Sequence, residues 1–74
     1  MTVYARSDLH AREVSRGHWE AHADGERFDL ELVGTSHWLV FREGDANPMF
    51  LAPTLEAAED VLVGWFRDHE AGAP

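Results

Sequence analysis

Five histidines and fourteen carboxylates share a chain of 74 residues that has six arginines, no lysine and no cysteine. Without a thiol, a metal site here must be built from imidazole and carboxylate, and thiol nucleophiles and disulfides are excluded. The densest run of candidates is His18, Glu20 and His22, followed by Asp29 and Glu31. His18 and His22 are four apart, a spacing that would aim both rings at one ion from a helix. Gly17 and the Asp24-Gly25 pair leave too little room for a stable helix there. On a strand the two histidines stand about 13 Å apart and cannot share an ion.

The flanking pattern requires a strand. Residues 18–23 and 26–33 both alternate apolar with polar side chains, and Asp24-Gly25 between them suits a type I′ hairpin turn, in which both central residues take positive φ. A two-residue loop places Ala23 opposite Glu26, Ala21 opposite Phe28 and Trp19 opposite Leu30. Trp19, Ala21, Phe28, Leu30 and Leu32 then share one face, and His18, Glu20, His22, Arg27, Asp29 and Glu31 share the other. On that polar face His18, Glu20 and Glu31, which lies directly across from His18, form a candidate set for zinc or another borderline divalent ion. An ordinary solvated sheet face accounts for the same residues. Glu20 faces Asp29, and paired carboxylates can serve as acid and base in glycoside hydrolysis. A small open sheet offers such a pair little concavity and little desolvation. No GxSxG, HExxH, phosphate-cradling glycine loop or dinucleotide fingerprint occurs, so the expectation is a protein that is not an enzyme and needs no cofactor.

The remaining elements complete a two-layer domain. Residues 37–42 predict a third strand after the turn at Gly34-Thr35-Ser36, and residues 49–52 a short fourth. Pro53 ends any strand, and Thr54 is a good N-cap for a helix running to about Glu70. Leu55, Ala58, Val61, Leu62, Trp65, Phe66 and His69 give that helix an apolar stripe. Gly64 within it is unfavourable unless another backbone packs close. The first seventeen residues read either as a short helix from Asp8 to Arg16 capped by Ser7, or as an extended arm over the sheet. Residues 71–74 read as a disordered tail. The expected fold class is α+β, an antiparallel meander of three or four strands with one C-terminal helix across one face.

Composition narrows the function. The net charge is −8, with three arginines against two acids up to His18, and three against twelve from Trp19 onward. Such a body repels phosphate, so direct nucleic-acid binding is disfavoured. The N-terminal region has no apolar run of signal-peptide or membrane-span length, and cysteine is absent, which points to a cytoplasmic protein. The lack of lysine, isoleucine and glutamine suggests a GC-rich coding sequence, as in an actinobacterium or phage.

The apolar residues exceed what one helix can cover. On the third strand Trp38 and Val40 lie on one side and Leu39 and Phe41 on the other, and Met49 and Leu51 oppose Phe50 in the fourth. The expected interface is Trp38, Val40, Met49 and Leu51, used for homodimerisation or for docking on a larger protein. A three-residue loop at Gly34-Thr35-Ser36 would exchange Trp38 and Val40 with Leu39 and Phe41 between surface and core. A second reading is an acidic decoy that inhibits a DNA- or RNA-binding protein, with Glu20, Asp29, Glu31, Glu56, Glu59 and Asp60 imitating spaced phosphates.

Overall fold

A computed structural model describes residues 5–71. Five strands form one antiparallel sheet in sequence order, β1 (Arg12–Ser15), β2 (His18–Ala23), β3 (Glu26–Val33), β4 (His37–Arg42) and β5 (Phe50–Ala52). A 3-10 turn (Arg6–Leu9) precedes them, and one helix, α1 (Leu55–Ala71), follows. The α+β meander with a C-terminal helix is therefore the fold, with one strand more than expected.

The extra strand replaces the predicted helix over 8–16. The chain instead makes a short turn in which the Asp8 carboxylate accepts from the Ala5 N–H at 3.0 Å, and it leaves that turn through His10 in the left-handed region. Arg12–Ser15 then pairs with β2. With only Leu9, Ala11 and Val14 as apolar residues, this segment lacks the stripe that would hold a helix to the core. Leu9 is driven inside and is fully buried, with Ala11 half-buried against the same core. Among the described residues of this segment, Arg12–Ser15 belongs to the sheet. Met1 to Tyr4 and Gly72 to Pro74 lie outside the described residues.

The central hairpin has the register that a two-residue loop dictates. Asp24 and Gly25 both take positive φ, at 52° and 77°, and every pair from Ala23↔Glu26 to His18↔Glu31 follows. The next loop has three residues, closed by Val33↔His37, and that count fixes which side of β4 is buried. Trp38 lies across from Leu32 and Val40 across from Leu30, so both belong to the face that carries Phe28. We call this face inner and the opposite one outer.

The inner face and α1 enclose a single core. Ala21, Phe28, Leu30, Val40, Ala58 and Leu62 are fully buried, joined by Leu9 from the first turn. Trp65 and Phe66 meet Phe28 edge-on, with ring centroids at 5.4 and 5.5 Å. Thr54 caps α1, its Oγ1 accepting from the Ala57 N–H at 3.0 Å. The helix turns Val63 inward and leaves Val61 more than a third exposed, the reverse of the expected stripe; the His69 side chain lies outside those described. Arg42 closes one end of the core with two hydrogen bonds to Glu26, at 3.2 and 2.9 Å, while its guanidinium sits 5.4 Å from the Trp65 ring centroid. These bonds hold Arg42 even more firmly protonated than usual. The accessible surface is 4757 Å², close to the roughly 4,600 Å² that a compact chain of this mass exposes.

Candidate functional site

Both elements that are not strands pack on the inner face, so among the described residues the outer face has no second layer. The outer face divides along the sheet. Over β1 to β3 it carries Arg12, His18, Glu20, His22, Arg27, Asp29 and Glu31. Over β4, β5 and the end of β3 it carries Leu39, Phe41, Leu51 and Val33, with His37 across from Val33.

The ionic half is built by the hairpin turn, because a loop of two residues puts every even position of β2 on this side. Glu20 and Asp29 lie directly opposite one another, as the pattern predicts. Their side chains are only 15% and 20% exposed, and each is flanked by cationic or imidazole groups. His22 Nε2 lies 3.2 Å from Glu20 Oε1, and an Arg12 guanidinium nitrogen 3.8 Å from the same oxygen. His18 Nε2 lies 3.0 Å from Asp29 Oδ1, while Arg27 reaches Asp29 Oδ2 at 3.6 Å and Glu43 at 3.3 Å.

The candidate metal set is therefore corrected by one residue. Glu31, though directly across from His18, is exposed and outside the cluster. His18, Glu20 and Asp29 each bring one ligand atom within 4.8 Å of the others. The imidazole reaches diagonally across the twisted hairpin, a distance that long side chains span easily. A shallow depression of about 500 Å³ adjoins this half at the hairpin tip, lined by His10, His22, Asp24, Glu26, Arg27 and Glu43. Charged residues on two of its sides are already paired with each other, Arg42 with Glu26 and Arg27 with Glu43.

The apolar half differs from the expected interface. Val40 is fully buried and Trp38 half-buried on the inner face, and Met49 packs against the core, its N–H donating to the Val40 carbonyl at 2.6 Å. Of the four residues expected at the surface, Leu51 stands out in the open, 63% exposed. Leu39 lies across from it, and Phe41 and Leu39 are half-buried on the outer side. The three-residue loop made the exchange between the two sides of β4.

No family model, curated protein or solved structure matches the chain.

The six acids of the decoy reading do not form one row. Glu20, Asp29 and Glu31 lie on the outer face, and Glu56, Glu59 and Asp60 lie on α1, behind the other face. Asp60 pairs with Arg6 at 3.4 Å. Partial burial raises the Glu59 carboxyl above its usual value, Arg6 opposes that rise, and Glu56 and Asp60 add to it.

Proposed function

We propose that this protein is a small interaction module that pairs with a second copy of itself through the outer face of its sheet, and that it is not an enzyme. The observation that carries the reading is the uncovered apolar half formed by Leu39, Phe41, Leu51 and Val33 beside a charge-matched ionic half. An apolar patch set in a polar surround is the usual composition of a protein interface.

Charge favours a second copy as the occupant. The chain has a net charge of −8, and copies meeting through α1 would oppose Glu56, Glu59, Asp60 and Asp68 to the same residues. On the outer face Glu20 and Asp29 each have an arginine and a histidine beside them, so repulsion is smallest there. Edge pairing is poorly supported, because β1 is charged and bulged between Glu13 and Ser15 and β5 is three residues long and is followed by Pro53. A face-to-face arrangement with the two-fold axis through Leu39, Phe41 and Leu51 buries the apolar half of both copies.

Two features count against the decoy reading: the division of its acids between two sides of the molecule, and the pairing of several with cations. The two readings respond oppositely to salt. Screening relieves repulsion between two acidic copies and strengthens their association, whereas binding to a basic groove weakens. Light scattering on Leu51→Asp tests the proposal. A charge in the apolar half should leave the variant folded and monomeric at concentrations where the parent is dimeric. Equal masses for the two would remove the interface from this face.

A further inference from the structure

The ionic half of the outer face has a second use, independent of whether the apolar half pairs. We propose that His18, Glu20 and Asp29 form a site for a borderline divalent cation, of which zinc is the best fit. One imidazole nitrogen and two carboxylate oxygens, gathered within 4.8 Å, are ligand types that ion accepts, with water filling the remaining position.

Three features of the geometry argue for an ion rather than a plain salt-bridge network. First, the spacing already approaches coordination. Tetrahedral ligands bound at about 2.0 to 2.1 Å sit about 3.3 to 3.4 Å from each other, and His18 Nε2 lies 3.0 Å from Asp29 Oδ1, so the pair need open by only a few tenths of an ångström, about 0.3 to 0.4 Å. An ion can take the place of the hydrogen bond between these atoms, held by Nε2 of the neutral imidazole tautomer that keeps its proton on Nδ1. Second, the competing groups take other oxygens. Arg27 contacts Oδ2 of Asp29, and Arg12 and His22 both contact Oε1 of Glu20. Oε2 of Glu20 can turn to the ion while Oε1 keeps those partners, which then orient the ligand and steady it. Third, the platform is rigid. The ligands come from paired positions of β2 and β3, adjacent strands held in register by a two-residue turn, and Glu20 and Asp29 are largely shielded from solvent.

Titration of the full chain with zinc chloride at neutral pH, followed by calorimetry and by side-chain NMR of the histidines, tests the site. One equivalent of zinc should bind saturably and shift the His18 ring resonances before those of His10, His37 or His69, and magnesium should bind far more weakly because imidazole is a poor ligand for it. His18→Ala and Asp29→Asn should each weaken zinc binding by at least about tenfold, with thermal melts confirming that each variant is folded. Glu31→Gln, directly across from His18 but outside the cluster, should change the affinity less than about twofold, and Leu51→Asp should leave it intact. A titration without saturable heat overturns the proposal. So does a Glu31→Gln loss equal to that of Asp29→Asn, or a first shift at another histidine.

Discussion

The two faces of this sheet are made by the same strands but closed in different ways. On β4 the contrast is sharpest, since Val40 is fully buried under the chain's own helix, while Leu39 and Phe41, its neighbours in sequence, point to the side that has no second layer among the described residues. Over β2 and β3 the outer side is polar at every position from 18 to 31, a face suited to water or to an ion. Over β4 and β5 the outer side turns apolar at Leu39, Phe41 and Leu51, with His37 at the start of β4 keeping a polar position. The inner face therefore explains why the chain folds, and the outer face, divided into an ionic and an apolar half, is where function has to be sought.

Substitutions on the inner face should have the largest effect. Phe28→Ala removes a fully buried ring that meets both Trp65 and Phe66 and should cost about 3 to 5 kcal/mol. For a domain of this size that is most of the available stability, and urea unfolding would show a largely unfolded chain. Leu51→Ala, on the outer face, should change the unfolding free energy of the monomer by less than about 0.5 kcal/mol. Comparable losses at the two positions would erase the distinction between the faces.

The helix that closes the inner face offers a smaller test with the opposite sign. A Cβ added at Gly64 would meet nothing within 4 Å, so the close backbone approach that could justify a glycine there is absent. Gly64→Ala should stabilise the protein by about 1 kcal/mol through helix propensity alone. The smallest effect is expected at Glu59, whose carboxyl is raised above its ordinary value of 4.5 chiefly by desolvation. A raised carboxyl favours folding in acid, and that contribution is lost as the pH rises through its folded value. At neutral pH the ionised group is a mild burden. Glu59→Gln should then raise the melting temperature slightly at pH 7, a gain well under about 1 kcal/mol for a group only partly buried, and the gain should disappear below the ordinary glutamate range.

The parts of the fold that could be read from sequence are those set by local chemistry. Asp24-Gly25 dictated the hairpin register, and with it the opposition of Glu20 and Asp29. Thr54 after Pro53 marked the start of the helix. What escaped was set by counting or by long-range pairing. The burial of Trp38 and Val40 depends on whether the loop after Val33 has two residues or three, and the composition of Gly34-Thr35-Ser36 allows either. Strand β1 was missed because Arg12-Glu13-Val14-Ser15 is exposed throughout and carries no apolar alternation; it is held by backbone pairing to β2. In the candidate metal set, Asp29 replaced Glu31 because the twist of the hairpin brings diagonal neighbours together, which a flat ladder does not convey. The choice of Val63 over Val61 reflects the rotation of α1 on the sheet, fixed by Phe28 packing between Trp65 and Phe66.

The central claim is that the apolar half of the outer face joins two copies. Sedimentation equilibrium of the unmodified chain over a wide concentration range, at low and at high salt, tests it most directly. The account predicts a mass rising from 8.3 kDa to twice that value, with the transition moving to lower concentration as salt screens the repulsion between two acidic copies. A mass that stays at 8.3 kDa across the whole range at both salt concentrations would contradict it.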